Sequence, residues 1–429
     1  MHFVVAELPR VRGNIGLSAS VNEPLATPQG QLQCTLPNTF GRGELLEFDL
    51  QYALSGGVSG LGAINPFGTS TANTGSVARY VTFSKPFALN FRGLGNSGVR
   101  NVGDVLRGCN ASVSLFHTDQ DTPWNRLHVR ESGLQASVAF PSVGPLGLLG
   151  LTHSLGVSAL QRNLLPAHND PHLDTFTPLS MREMCGKGNK FALLHSINYA
   201  TRSWSMANAI LPLKSGFNVS FKQEFAPTLL GGDISHSKHE LVSTLNVGLP
   251  LNCSLQLTAA AGILLSQQPT PKEVTPQLDL PDHFLLGGPQ NLRGFRVGGA
   301  GNQKEARSSD PLNPRDIVNC AIGGNAFWFA GAHLFAGIPF APRALHEHLR
   351  MHAFATVGSN SRVDLDASRR KQELCQLLTS YRTSLGAGLA LRVGSVARIE
   401  LNYVYPLRAM PGDVAAPPGV QLGLGVQFW

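Results

Sequence analysis

The sequence predicts an all-β fold, namely a transmembrane antiparallel β-barrel of about 16 strands. Three observations support this fold class. The 429-residue chain is poor in charged residues, apolar and polar residues alternate with a period of two in many segments, and no apolar run is long enough for a membrane-spanning helix. A soluble chain of this length would ordinarily form two or three domains. Together the observations favour one barrel over several soluble domains.

The charge content is unusual for a soluble protein. Charged residues make up 14% of the chain, against roughly 25% in typical soluble domains, whereas the hydrophobic content of 42% is ordinary. The longest mostly apolar stretches, such as residues 255–265, are well short of the roughly 18 residues that a transmembrane helix requires. Two classes remain, an all-β soluble protein and a transmembrane β-barrel.

Alternation is clear in residues 44–54, with sequence ELLEFDLQYAL. Here Phe48, Leu50 and Tyr52 face one side of a predicted strand, and Asp49 and Gln51 face the other. The strands of a β-sandwich also alternate. The candidate strands are about nine to eleven residues long, which is the length that a tilted strand needs to cross a bilayer.

This pattern gives sixteen candidate strands, an even number within the range of transmembrane barrels. We expect them to form a closed barrel in which the first strand pairs with the last. They are residues 12–21, 29–37, 43–54, 76–86, 107–117, 130–140, 149–160, 189–201, 215–225, 236–248, 253–265, 322–337, 350–358, 382–394, 396–405 and 419–428. The connections alternate in length. Long loops at 55–75, 161–188, 266–321 and 359–381 fall on one side, and most connections on the other side are short turns, except 87–106 and 338–349.

The remaining composition narrows the function classes. The N-terminal sequence MHFVVAELPRVRG lacks the basic and apolar segments of a secretory signal peptide. Six scattered cysteines without a CxxC pair predict free thiols and no zinc site. The net charge of +7 is compatible with a solvated surface or with contact to anionic lipids or acidic clients. Basic residues do not cluster on one periodic face, so no nucleic-acid partner is expected.

Five segments carry a family resemblance. The stretch DHFLLGGPQNLRGF (Asp282–Phe295) resembles the conserved inward loop of the outer-membrane β-barrel assembly family, which includes the BamA-type insertases. The chain is more similar still to the mitochondrial branch of that family, the core subunits of the sorting and assembly machinery. The further matching segments are LPNTFGRGELLEF (Leu36–Phe48), IGGNAFWFAGAHLF (Ile322–Phe335), SYRTSLGAGLALRVGSVARIELNYVYPL (Ser380–Leu407) and GVQLGLGVQFW (Gly419–Trp429). The set is specific in its order, whereas LRGF alone would be weak.

The resemblance implies a sixteen-stranded barrel with an inward-folded loop and a weak seam between the first and last strands. Eleven candidate strands precede LRGF and five follow it, which agrees with the family. The implied function is insertion and assembly of β-barrel precursor proteins through a lateral gate at that seam. The implied location is the mitochondrial outer membrane. The implied partners are β-barrel precursor polypeptides, membrane lipids and accessory assembly subunits.

Two departures from the family matter. Its members normally carry at least one polypeptide-transport-associated (POTRA) domain before the barrel. Here the expected organisation is a short lead-in at residues 1–10, without such a domain, and a barrel at residues 11–429. In bacterial members an acidic wall residue pairs with the loop arginine. The matching positions, His333 and Thr356, are not acidic, so the resemblance leaves the partner of Arg293 open.

The loop motif consists of Leu292, Arg293, Gly294 and Phe295. Inside a water-filled barrel, Arg293 could donate several hydrogen bonds to the wall. Gly294 permits a backbone conformation or a close approach that a side chain would block. Leu292 and Phe295 would hold the tip by burial. The alternative is an ordinary turn with an exposed arginine.

The predicted gate consists of the first and last strands. The first strand is small, polar and interrupted by glycine, which predicts weak pairing, and its gate residues are Gly13, Asn14, Ile15, Gly16, Leu17, Ser18, Ala19 and Ser20. The last strand resembles the sorting signal of mitochondrial β-barrel precursors at Gln421, Gly423, Val426 and Phe428. A client strand could therefore compete with the resident last strand for the first. The alternative is an ordinary closing strand.

Other candidate sites are weaker. His346, Glu347, His348 and His352 lack the HExxH order of a metal site, so a polar turn is favoured. No catalytic set or phosphate loop stands out, and we expect no enzyme activity, metal or cofactor. Alternative functions are a passive pore for metabolites or peptides, a bacterial-type insertase, or a polypeptide exporter of the same fold. A passive pore requires neither LRGF nor a weak first strand.

Overall fold

A computed structural model describes most of the chain. The described residues are 11–19, 28–53, 77–87, 109–122, 124–142, 150–166, 177–201, 211–212, 214–266, 278–288, 291–307, 317–339, 342, 348–363, 370–393, 397–416 and 418–426.

Sixteen strands form one antiparallel sheet in which each wall strand pairs with its neighbours along the chain. They are β1 (Arg12–Ala19), β2 (Pro28–Pro37), β3 (Leu45–Ala53), β4 (Val77–Phe87), β5 (Cys109–Thr122), β6 (Leu127–Pro141), β7 (Leu151–Pro166), β8 (Gly186–Ala200), β9 (Gly216–Ala226), β10 (His236–Leu249), β11 (Cys253–Ser266), β14 (Ala326–Gly337), β15 (Leu349–Ser361), β16 (Arg382–Val393), β17 (Ala397–Arg408) and β18 (Gly419–Val426). The predicted all-β fold, the sixteen strands and the division into eleven and five are confirmed.

The connection between β11 and β14 contains a hairpin of its own. β12 (Gln303–Arg307) pairs with β13 (Ile317–Ala321) in a separate two-stranded sheet. This hairpin was not predicted from the sequence, because its strands are only five residues long and are too short for a clear alternation. The wall sheet therefore passes directly from β11 to β14.

The outer face of the wall is apolar and its inner face is largely polar, as β17 shows. Leu401 and Tyr403 lie on the outer face, with 49% and 58% of their surface exposed, whereas Glu400, Asn402 and Val404 are buried on the inner face. Apolar side chains outside and polar side chains inside are the arrangement expected of a barrel whose outer face contacts lipid. The period-two pattern of the sequence therefore has its physical cause in the two solvents on either side of the sheet.

Several wall strands extend further than predicted. β6, β7 and β8 have 15, 16 and 15 residues, so the expected long loop at 161–188 is shortened at both ends. The additional strand residues include Arg162, which is charged but buried, as is Lys190 near the start of β8. The predicted strands ended where the apolar alternation ended. The alternation does not reveal strand residues that are charged and face the barrel interior.

β1 and β18 are the two edges of the sheet, and they approach each other. Among the described residues no hydrogen-bonded ladder joins them. The expectation that the first strand pairs with the last along a closed ladder is therefore not met, although these two strands do meet at the seam. Ser20 and Phe428, at the ends of the predicted gate strands, lie outside the described residues.

The described residues contain little helix. α1 (Leu179–Arg182) lies before β8 and α2 (Arg370–Thr379) lies before β16, with short 3₁₀ turns at Thr228–Leu230 and Leu280–Asp282. Within the described part of the chain, no helix has both the length and the apolar character needed to cross a membrane. All six cysteines are free, as predicted.

Candidate functional site: the inner loop and its contacts with the wall

The inner loop, defined here as the described residues between 278 and 325, folds on itself before it contacts the wall. Antiparallel bridges pair Phe284 with Gly324 and Leu286 with Ala300. The amide of Gly288 donates to the carbonyl of Phe295 over 3.1 Å. These backbone bonds fix the position of the motif residues 292–295, which we call the loop tip.

The apolar residues of the loop tip are fully buried. Leu292 is 0% exposed and Phe295 is 1% exposed, and both pack with Leu286, Ala300 and the wall residue Phe329. Burying a side chain of this size is worth about 1.5–3 kcal/mol. An exposed surface turn, which was the alternative interpretation of LRGF, would bury neither residue.

Gly294 has a backbone conformation that only glycine adopts easily. Its φ is +84°, and an added Cβ would lie 3.2 Å from Cγ1 of Val404 on β17. Left-handed backbone costs about 1–2 kcal/mol per residue for other L-amino acids. The loop tip can therefore approach β17 this closely only because residue 294 lacks a side chain.

Arg293 is 1% exposed and has three partners on the wall. Its Nη2 donates to Oε2 of Glu400 over 2.8 Å, and Nη1 donates to Nε2 of His333 over 3.3 Å. The guanidinium also stacks over the Phe354 ring, with Cζ 4.7 Å from the ring centroid. The side chain of Glu400 is only 3% exposed, so this is a buried ion pair between the loop and the wall.

The acidic partner of Arg293 comes from a different strand than the resemblance indicated. Of the two positions that it pointed to, His333 does contact Arg293, but Thr356 instead shares a hydrogen bond with Ser384 at 2.7 Å. Glu400 on β17 provides the carboxylate. One sequence signal could have found it, because Glu400 occupies an inward position in the alternation of residues 397–404.

Neighbouring side chains orient Glu400. Asn402 donates from Nδ2 to Oε2 of Glu400 over 2.8 Å, and its Oδ1 accepts from Nε2 of His352 over 2.6 Å. The Phe354 ring fits because Gly386 leaves space, since an added Cβ would lie 2.4 Å from Phe354 Cζ. The four neighbours of Glu400, namely Asn402, His352, Phe354 and Gly386, were not predicted as part of the site.

The aromatic rings beside the ion pair continue along the inner wall. His333, Phe335, His352 and Phe354 alternate on facing positions of β14 and β15, and their ring centroids are 5.2 to 6.1 Å apart. His352, a member of the weak histidine cluster in the sequence, is therefore part of this stack and is bonded to Asn402. His346 and Glu347 lie outside the described residues.

The loop tip also bonds to the connection between β17 and β18. The amide of Arg296 donates to the carbonyl of Val414, Val414 donates back to Gly299, and Ala416 donates to Gly294, with distances of 3.0, 2.8 and 2.8 Å. These three bonds form a short ladder that ends at Ala416, shortly before the first residue of β18. The inner loop is therefore attached directly ahead of β18.

Asp413 strengthens this attachment. Its two carboxylate oxygens accept from Nε and Nη2 of Arg382 on β16, each over 2.9 Å. Oδ1 also accepts from the amide of Gly301 over 3.0 Å. One carboxylate thus joins the inner loop, the connection before β18 and the wall.

The predicted gate residues lie at the two edges of the sheet. Gly13 to Ala19 pair with β2, and Gln421, Gly423 and Val426 pair with Asn402, Glu400 and Ala397 of β17. Gly423 is therefore the cross-strand neighbour of Glu400. The structure brings the loop tip and the last strand together through β17, while the first strand lies across the seam.

One group of side chains resembles a metal site. Glu224, His236 and Asp282 are the members among the described residues. The ammonium of Lys190 bonds both carboxylates, at 2.5 Å from Glu224 and 2.7 Å from Asp282. Because Lys190 and Arg162 already pair with these carboxylates, the donor set does not fit a divalent cation.

Comparisons with known proteins agree with this architecture. The chain is 29% identical over 428 residues to the sorting and assembly machinery component 50 homolog A of Xenopus laevis, covering 99% of this chain and 75% of that protein. It is 27% identical to the corresponding homolog of Homo sapiens, covering 99% of this chain and 74% of that protein.

The fold is similar to that of a solved bacterial protein. BamA from Haemophilus ducreyi lacking POTRA domains 1–3 superimposes with a TM-score of 0.66 at 15% identity, covering 98% of this chain and 71% of that one. The sequence model of the Omp85 superfamily domain matches residues 38–428. With this match over most of its length, the chain belongs to the Omp85 superfamily.

Proposed function

We propose that this protein inserts and assembles β-barrel precursor proteins into the mitochondrial outer membrane, through a lateral gate between β1 and β18. One observation carries the proposal. The two edges of the sheet meet without a ladder in the described residues, and the inner loop is bonded to the segment directly ahead of one of them.

An open seam has a clear chemical use in a membrane. The edge strands present backbone N–H and C=O groups, and the hydrocarbon core provides no water to satisfy them. An incoming strand that supplies those hydrogen bonds is strongly favoured there, in the manner of β-strand addition. β1 is composed to hold its resident partner weakly, because most of residues 13–20 are small, polar or glycine.

The partners follow from the same chemistry. A precursor whose last strand resembles residues 421–428 would compete with β18 for β1. Membrane lipids would surround the apolar outer face, and accessory assembly subunits are expected because the names of the relatives refer to a sorting and assembly machinery. The protein needs no cofactor for strand exchange and is not an enzyme in this proposal.

Site-specific crosslinking of an arrested precursor tests the gate. A photoreactive residue placed at successive positions of β1 and β18 should crosslink to the last strand of a precursor, and the matched positions of β8 and β9 should not. A passive pore for metabolites or peptides, the second candidate function, predicts no crosslink at the seam beyond that at β8 and β9. That result would refute the lateral gate.

The mitochondrial assignment has its own test. Membrane fractionation of cells that express the tagged chain should place it in mitochondrial outer membranes, where it should resist extraction by alkaline carbonate. A bacterial-type insertase or polypeptide exporter of the same fold would be functional in a bacterial outer membrane. Replacement of the resident bacterial insertase by this chain would therefore contradict the mitochondrial assignment.

A further inference from the structure

A second buried ion cluster holds the inner loop near its start, at Asp282. Asp282, in the 3₁₀ turn Leu280–Asp282, is 6% exposed. Its Oδ2 accepts from Nη1 of Arg162 over 2.7 Å, and its Oδ1 accepts from Nη2 of Arg162 over 3.1 Å and from Nζ of Lys190 over 2.7 Å. Arg162 lies on β7 and Lys190 on β8, so this carboxylate bonds two adjacent wall strands.

The wall supplies further charges around Asp282. Nε of Arg162 bonds Glu131 of β6 over 2.6 Å, and Nζ of Lys190 bonds Glu224 of β9 over 2.5 Å. His236 of β10, whose side chain is 0% exposed, lies 3.4 Å from Glu224 and 4.0 Å from Asp282. We call these six residues the wall ion cluster.

The charge balance of the cluster shows which carboxylate is not needed to pair the two wall cations. Each of the two cations, Arg162 and Lys190, already has one wall carboxylate, Glu131 or Glu224. Asp282 is the third carboxylate, and it comes from the loop. Removing its charge therefore leaves two intact pairs within the wall, and the barrel itself should still fold.

The start of the loop at Asp282 and its tip at Arg293 are attached to different parts of the wall. We call them the Asp282 end and the Arg293 end. Asp282 bonds β7 and β8, whereas Arg293 bonds Glu400 of β17. Between them lie Gly287 and Gly288, whose φ values of +115° and +111° favour glycine. Glycine adopts these φ values without the steric cost that a side chain would add.

The ion pairs of the two attachments also differ in their number of charged hydrogen bonds. The Asp282 carboxylate accepts three charged hydrogen bonds from two cations, whereas one such bond joins Arg293 to Glu400. Breaking the Asp282 attachment requires separating one carboxylate from two buried cations, which is the more costly of the two separations.

We propose that Asp282, Arg162 and Lys190 form a fixed attachment of the inner loop, so that only the Arg293 end moves when β18 is displaced. These three are positioning residues. Displacement of β18 disturbs the neighbouring β17 and the ladder at Val414 and Ala416, while the Asp282 end stays on β7 and β8. The moving part of the proposal rests on the proposed gate, whereas the fixed attachment does not.

Hydrogen exchange on the full chain in lipid nanodiscs tests the attachment. In Asp282→Asn, amides of residues 282–286 should exchange about tenfold faster or more, since the loop has lost its charged bonds to Arg162 and Lys190. The amides of Arg296, Val414 and Ala416 should remain protected. Glu400→Gln should give the opposite pattern.

Asp279→Asn is the matched control. It makes the same charge change three residues earlier in the same loop, but Asp279 pairs within the loop, with His283 at 3.6 Å. Its exchange pattern should equal that of the unchanged protein. If Asp282→Asn and Asp279→Asn behave alike, the fixed attachment does not exist.

A peptide with the sequence of residues 419–429 serves as the probe of movement. Added to the unchanged protein, it should raise exchange at Arg296, Val414 and Ala416 and leave residues 282–286 protected. If both segments lose protection together, the loop moves as one body and the proposal is overturned. If the peptide changes no amide, the proposed gate fails, while the comparison of Asp282→Asn with Asp279→Asn still decides the attachment.

Discussion

Replacing Glu400 by glutamine should release the loop tip without unfolding the barrel. The substitution keeps the shape of the side chain and an oxygen acceptor, but it removes the only carboxylate that bonds Arg293 among the described residues. His333 and Phe354 remain in contact with the guanidinium. The change therefore isolates the contribution of the charge.

The magnitude follows from burial and from the remaining contacts. Breaking a buried ion pair by removing one partner costs about 3–5 kcal/mol. The glutamine oxygen, which still accepts from Arg293, offsets part of that cost, because a hydrogen bond to a charged group is worth about 1.5–3 kcal/mol. The docked loop should lose about 2 kcal/mol, which corresponds to about a 30-fold increase in the undocked population.

Thiol labelling of Leu292→Cys measures this population. Residue 292 is 0% exposed when the loop is docked, so the labelling rate reports undocking, and mass spectrometry separates this peptide from those of the native cysteines. The rate should rise about 30-fold with Glu400→Gln. Glu47→Gln, on β3 and bonded to Gln33 over 2.6 Å, is the control and should leave the rate unchanged.

An equal labelling rate with and without Glu400→Gln would refute the ion-pair argument. A matched cycle with Arg293→Met sharpens the test. If the two substitutions act through the same pair, the double variant should label no faster than the faster single variant. Additive effects would mean that Glu400 and Arg293 act independently.

Four further outcomes are expected. Arg293→Ala should leave the barrel resistant to carbonate extraction but lower the rate of precursor assembly; normal assembly would exclude a role for the tip. A disulfide between Ser18→Cys and a cysteine on β18 with its Cα within about 7 Å should block insertion until it is reduced, whereas insertion at the normal rate would exclude the gate. Gly294→Ala should reduce assembly more than Gly231→Ala, because both have positive φ but only residue 294 has a neighbour within 4 Å of an added Cβ; equal effects would contradict the close approach. Acidification from pH 7 to about pH 5 should not raise exchange near Asp282. Burial by itself raises the pKa of Asp282, but the charges of Arg162 and Lys190 outweigh burial and hold this pKa well below its ordinary value. The stabilisation that the Asp282 carboxylate provides is therefore present above the ordinary carboxyl pKa of about 3.9 and is lost only below that pH.

The wall of the barrel was accessible to sequence reasoning because its two faces meet different solvents. All sixteen wall strands were predicted, since alternation such as that of Phe48, Leu50 and Tyr52 depends only on neighbours along the chain. The division into eleven and five strands followed from the position of LRGF. Strand ends were less accurate, because β6 to β8 continue beyond the apolar band with charged residues that face inward.

The partners of the loop could not be predicted in the same way. Glu400 follows Arg293 by 107 residues, and the pairing depends on how a long connection folds back into the barrel. The wall ion cluster takes its members from five strands and the loop, so no local pattern marks it. The ladder between the edge strands was expected from the alternation and the sixteen candidate strands, and it is not present among the described residues. Hydrogen bonding at the seam is a property of two edges together and not of either strand's composition.

The pairing of Gly423 with Glu400 has a consequence for the alignment of a client strand. A strand that replaces β18 in the same register, with a glycine at the matching position, would leave Arg293 and Glu400 undisturbed. Because side chains alternate with a period of two, a shift of one residue would turn the apolar set of such a strand towards the inner face at that position. Such an apolar side chain would then lie opposite Glu400, beside the buried pair with Arg293. In the proposed gate the ion pair on β17 would thereby penalise misaligned strands, and clients would be distinguished by alignment as well as by sequence.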